Sequence, residues 1–406
     1  MFKKMNLQIL GGLLAILVLL PLLFISEGFA ADKKEPITIG LVTWREGAAL
    51  EAGRLMTRAF NAGIKYINDR GGILGGQKVV GAVAPQGKAA ETAKASALRL
   101  VMKDKAKALV GPMWAMAQPA GLEVAKRYNI PYTSFQGGNW VYQQGYPGIF
   151  VLSGTAHGRT NAQIKWAEKM GVKRVACVLE DEPFTRDVES AMKAKWGKPD
   201  SPIKIVSTIF YDFTQTDLKK EITASLGANP DLLWAETWSS NVTVGMLKEL
   251  HELGFKGTII TDSDITLKAV KGLPKEITEG VWVNKEWAPD MTVPANKAFC
   301  DLWLKEFKEM PDHDEEVIWS ETVALLLAMD KAGTAGDGTM EGLMKIMNAL
   351  RGMNWVGPRG VPLKLSKGGL AIWENIALAQ IKNKEFVSKE YIPLAPGEWL
   401  PFKVEF

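Results

Sequence analysis

A short continuous apolar run at residues 37–42 gives way to helical spacing at Ala52, Leu55, Met56, Ala59, Phe60, Gly63, Ile64 and Ile67. That change of period marks a buried strand followed by an amphipathic helix. Asn68, Asp69, Gly71 and Gly72 stop the helix. Residues 79–83 resume a strand, completing a βαβ unit of an open parallel sheet. Strands follow at 108–111 and 130–135, with an extended segment at 147–152. A second round predicts strands at 175–179, 203–210, 231–235, 258–261 and 280–284. Helices at 185–195, 217–226 and 241–253 lie between them. Residues 295–349 are expected to be mostly helical, and 357–365 and 370–381 to be strands. Two rounds of βα units joined by an extended segment predict an α/β protein with two doubly wound parallel-sheet lobes.

The first thirty residues read differently. Lys3 and Lys4 precede an uncharged apolar stretch at 9–25, and Gly28-Phe29-Ala30 offers small residues for cleavage after Ala30. This is the pattern of a secretory signal peptide. No cysteine lies nearby, so lipid attachment there is not expected. The chain is therefore expected free in the periplasm. Its charge is nearly balanced, with 49 basic and 45 acidic residues. No basic run interleaves with aromatics, which argues against nucleic acid. Cys177 and Cys300 are the two thiols. Cys177 falls in an apolar strand and Cys300 in an amphipathic helix, and both read as buried and free.

Catalytic patterns are weak. The glycines of 81–88 are spaced one residue too far for a phosphate loop, and Ala89 stands where Ser or Thr is required. Residues 71–76 follow a helix rather than open one, so they form a turn and not a dinucleotide fingerprint. His157, His251 and His313 form no metal-ligand pair. No enzyme, metal or cofactor is expected. Glu180, Asp181 and Glu182 follow a strand and could meet a cation or a ligand amine; Asp181 and Glu182 are read as a solvated loop. The stronger signal is aromatic. Of the 14 tryptophans, Trp44, Trp114, Trp140 and Trp238 come just after expected strands, and Trp319 opens a helix. Loops at the carboxyl ends of strands line the crevice of such sheets, so these five are assigned to a ligand. Trp166, Trp196 and Trp303, on helices, are assigned to packing.

Motifs along the chain carry a resemblance. GGILG at 71–75, VGP at 110–112, Ile130-Pro131 and the stretch from Val175 to Val188 come first. NPDLLW from Asn229, ELGFKG from Glu252, EGVW from Glu279 and VGPRGVPL from Val356 follow. In this order they resemble the periplasmic solute-binding proteins of the leucine/isoleucine/valine type. The resemblance implies a binding protein that serves the membrane permease of an ABC importer, monomeric, closing two lobes on one small molecule. It implies chain crossings near 152–153, 287–288 and 362–363. Lobe 1 would hold residues 32–152 and 288–362, and lobe 2 residues 153–287 and 363–406. It also places ligand contacts at Ala115, at Gln136, Gly137 and Asn139, at Phe184 and Glu236, and at Asp262 and Asp264. The family's usual serine and threonine are replaced near Ala115 and Gly138. A small hydrophobic amino acid or related ligand is expected; an aromatic or other hydrophobic carboxylate is the alternative. A ligand-sensing receptor is the reading from another class.

Overall fold

The computed structural model describes residues 35–405 apart from 48, 136, 238, 263, 264 and 404. The expected leader at 1–30 lies outside them, as do three expected ligand contacts, Gln136, Trp238 and Asp264.

Two sheets organise the chain. In the first, β1 (Ile37–Thr43), β2 (Val79–Pro85), β3 (Leu109–Val110) and β4 (Tyr132–Thr133) are arranged in the order β2-β1-β3-β4. All pair in parallel, with Ile37 opposite Val79 and Gly40 opposite Leu109. The second sheet holds β5 (Arg174–Glu180), β6 (Lys204–Tyr211), β7 (Leu232–Glu236), β8 (Thr258–Thr261) and β9 (Trp282–Glu286), followed by β10 (Asn375–Lys382) and β11 (Glu385–Pro393). Its order is β11-β10-β9-β8-β7-β5-β6. From β9 to β6 the pairing is parallel. The β10–β11 hairpin is antiparallel and extends the sheet beyond β9.

Near-continuous apolar sequences make β1, β5 and β7 buried strands, as expected where helices cover both faces. The helix Leu50–Asp69 lies along the helix His313–Ala332. Gly63 permits that approach, because a Cβ there would stand 3.1 Å from the Thr322 side chain. The helical tryptophans fill the core. Trp166 meets Trp282 at 5.1 Å between ring centroids, and Trp303 sits 4.9 Å from both Phe299 and Phe307. Cys177 and Cys300 are buried and unpaired.

Two expectations are corrected. Residues 357–365 form no strand; isolated bridges Val356–Pro362 and Leu365–Ala371 hold them instead. Pro358 and Pro362 supply no amide donors for a ladder. The strand β11 was not anticipated, and the expected strand at 370–381 is confined to β10.

Candidate functional site

Each sheet has a point where the chain first adds a strand on one side and then crosses to the other. In the first sheet it lies between β1 and β3, and in the second between β5 and β7. Loops diverge there, leaving a crevice at the carboxyl ends of the strands. Trp44 follows β1 and Trp114 follows β3. Glu180 ends β5 and Glu236 ends β7. These four residues line one narrow cleft of about 70 Å³.

Local geometry fixes the first wall. Gly111 has φ +78°, and a Cβ there would strike the Val42 carbonyl, so the chain after β3 turns as only glycine readily allows. The next residues are then pinned: the Met113 amide donates to Gln86 Oε1 at 2.8 Å, and Gln118 Nε2 donates to the Ser134 carbonyl at 3.0 Å. Trp114 is thereby held against Trp44, with ring centroids 6.0 Å apart. Across the cleft Trp114 meets Phe213, just after β6, at 4.3 Å. That contact joins the two sheets' loops. So do the Asn139 amide, which donates to Asp187 Oδ2 at 2.8 Å, and Lys268 with Glu51 at 3.7 Å.

The opposite wall is acidic. Glu180, Glu182, Glu236, Asp262 and Asp314 line the cleft, and no Lys, Arg or His does so among the described residues. Asp262 is paired with Arg159, and Asp314 Oδ1 lies 3.4 Å from His313 Nδ1. Glu236 accepts from the Trp234 indole at 2.7 Å. Glu180 and Glu182 are only 4% and 8% exposed, yet Oε1 of the first and Oε2 of the second lack a hydrogen-bond partner. Burial, reinforced by Glu182, pushes the Glu180 carboxyl well up, although the nearby Trp114 indole favours its ionised form. Burial also lifts Glu182 to about 8, with Asp187 and Glu236 adding to the rise against the Phe184 and Thr185 amides. Glu236 is raised by burial, opposed by Arg159.

Behind this wall Glu286 gathers cations. It accepts from the Gly154 amide at 2.7 Å and pairs with Arg159 at 3.3 Å and Arg359 at 3.2 Å, with His313 at 3.7 Å. Burial alone would raise its carboxyl. The His313 hydrogen bond and the two guanidinium groups hold it well below the usual range. Arg359 also pairs with Glu316 at 3.2 Å.

Of the expected ligand contacts, Trp44, Trp114, Ala115, Phe184, Glu236 and Asp262 lie together on the cleft. Four others lie elsewhere. Trp319 is core: its ring packs 5.1 Å from Tyr66 and 4.9 Å from Phe299. Gly137 is bridged to Thr155, and Asn139 and Trp140 belong to the short helix Asn139–Tyr142, with Trp140 partly buried against the core. Glu182 is not solvated as expected; it is buried on the cleft, while Asp181 is exposed and pairs with Arg186 at 2.7 Å. Sequence reading also passed over Phe213, Asp314 and Met56, which line the cleft. Glu182 directly precedes the helix Pro183–Trp196, beyond the end of β5, so no strand period marked it.

Among the described residues no cluster of His, Cys, Asp and Glu is arranged for a metal ion, and no helix is long and apolar enough to cross a membrane. A family model described as periplasmic binding protein matches residues 36–385. A Leu/Ile/Val-binding protein homolog from Brucella suis is 24% identical over 338 residues, which cover 80% of this chain and 84% of that protein. Among solved structures, a solute-binding protein from R. palustris in complex with benzoate superposes with a TM-score of 0.77 at 18% identity, covering 91% of this chain and 99% of that one. A branched-chain amino acid transporter substrate-binding protein from Streptococcus pneumoniae, in complex with isoleucine, gives 0.76 at 15% identity, covering 89% and 100%.

Proposed function

This chain belongs to the periplasmic binding protein family, and we propose that it is an extracytoplasmic solute-binding protein that delivers one small molecule to the permease of an ABC importer. The observation that carries this reading is the composition of the cleft. Trp44 and Trp114 come from the switch point of one sheet, and Glu180 and Glu236 from that of the other. Neither lobe alone encloses a ligand, so binding and lobe closure are one event. We place the crossings near 152–153, 287–288 and 362–363, and take the working unit to be a monomer in the periplasm. The solute has an apolar body, about the size of a hydrophobic amino acid, and is gripped by an amine end. The alternative of an aromatic carboxylate fits the ring wall but would set its charge against uncompensated glutamates.

The test is small-angle scattering on the mature protein, stripped of carried solute by unfolding and refolding, with and without the molecule it co-purifies with. The radius of gyration should fall on saturation. An unchanged radius at full occupancy would remove lobe closure from the mechanism. Mass spectrometry of the released molecule identifies the solute.

A further inference from the structure

The charge balance of the cleft can be taken one step further. Asp262 has Arg159, and Asp314 has His313. What remains facing the cavity is Glu180 and Glu182, which keep carboxylate oxygens without hydrogen-bond partners while nine-tenths buried, and Glu236, which has Arg159 nearby and accepts from the Trp234 indole. No cationic side chain lines the space. The undescribed positions 48, 136, 238, 263 and 264 are Ala, Gln, Trp, Ser and Asp, so the sequence supplies no cation there either. An α-carboxylate arriving with its amine would therefore find no counter-charge. Buried acceptors without donors are costly, and a ligand that supplies the donors removes that cost.

We propose that the cleft selects a carboxylate-free organic cation, an amine, amidine or guanidine, whose N–H groups meet Glu180, Glu182 and Glu236 and whose apolar body lies on Trp44, Trp114 and Phe213. The ring faces of that wall suit both a flat hydrocarbon body and a nearby positive charge. This rests on the solute-binding reading and narrows it.

Matched series test it by calorimetry on the refolded mature protein: phenethylamine, phenylalanine and 3-phenylpropanoate, then isoamylamine, leucine and 4-methylpentanoate. In each series the amine should bind at least about tenfold tighter than the amino acid, because the carboxylate would be buried without a partner, and the acid should give no binding. Glu182→Gln, checked for native circular dichroism, should weaken the amine by about tenfold or more by the same reasoning. If the amino acid or the acid binds more tightly than the amine, the inference falls. Should no member bind, the molecule that co-purifies decides: a carboxylate-free cation supports the inference, and a carboxylate or a neutral compound overturns it while leaving the solute-binding reading intact. A refolded protein that neither carries a small molecule nor contracts with any would count against both.

Discussion

Replacing Trp114 by alanine perturbs the cleft at the point where its two walls meet. The ring stands 6.0 Å from Trp44 on its own side and 4.3 Å from Phe213 across the gap. The cross-cleft pair contributes about 0.5–1.5 kcal/mol beyond its buried area, and truncating a buried ring at a binding hot spot costs about 1–3 kcal/mol in all. At 1.4 kcal/mol per decade that is about a five- to 150-fold rise in Kd. Part of the loss acts on closure rather than on ligand contact. Phe213→Ala removes the cross-cleft pair and should raise Kd by about two- to twelvefold on the same scale. The double variant should then fall short of additivity by about 0.5–1.5 kcal/mol. Calorimetric titration with the co-purified solute measures all three. Trp303→Ala is the control: its buried ring packs on Phe299 and Phe307, away from the cleft. It should lower stability and leave Kd nearly unchanged. If Trp114→Ala and Phe213→Ala both stay folded and bind as wild type, the aromatic wall does not hold the solute.

The other expectations concern charge and thiols. Glu182, lifted to about 8, carries its proton at neutral pH in the ligand-free cleft; a bound cation favours its ionised form, so binding releases a proton and affinity for an amine should rise about tenfold per pH unit between pH 6 and 8. A Kd that is flat or climbs with pH would contradict this. Without ligand, the radius of gyration should shrink as pH falls from 8 to 5, since protonated glutamates are cheaper to enclose; an invariant radius would argue otherwise. Glu286→Gln should destabilise the fold by about 3–5 kcal/mol by leaving buried guanidinium charge uncompensated, read by chemical denaturation. Because the Glu286 carboxyl is depressed on folding, its contribution is complete above the unfolded value of about 4.3 and lost as pH falls below it; the stability gap between wild type and Glu286→Gln should therefore narrow only on that acid limb. Cys177 and Cys300 are buried, and burial raises both thiols, the second to about 12; both should resist alkylation in the native protein and react fully once denatured. Recovery of fewer than two thiols under denaturing, non-reducing conditions would show them paired.

The parallel strands were legible because each is an apolar run bounded by turn residues. The expected strand at 37–42 and the observed Ile37–Thr43 differ by one residue, and 258–261 coincides with Thr258–Thr261. The hairpin at the end of the second sheet was hidden for a local reason. Its turn is Asn383-Lys384, both with positive φ, 50° and 64°. Two-residue hairpins usually advertise that conformation with glycine, and here a lysine occupies it. The strand β11, with sequence EFVSKEYIP, is polar and partly exposed, so its apolar content gave no run. Trp44 and Trp114 line the cleft because their place at strand ends has one consequence in this topology. Trp319 was misassigned because a helix start was taken as a cleft position. The helix His313–Ala332 is instead buried through most of its length, and Trp319 points into the core at its middle turns. The network around Glu286 was beyond sequence reading, since it joins residues 154, 159, 313 and 359 that only the fold brings together.

Uncompensated glutamates would be a defect in a cavity meant to stay shut, and their placement makes sense only if closure waits for a partner. Burial lifts the Glu182 carboxyl to about 8, so at neutral pH the empty cleft favours its protonated form. Ionising it there without a partner is costly, because burial removes the water that would stabilise the charge. Glu180, buried beside it, adds to the same penalty. An empty enclosed cleft with its glutamates ionised is thereby disfavoured. A cation removes the need for the proton and converts the penalty into charge-assisted hydrogen bonds. A carboxylate worsens it. On the proposed reading, the acidic wall couples selectivity to closure: the solute that fits is the one whose charge lets the lobes come together, and the tryptophan wall holds whatever apolar body that charge brings with it.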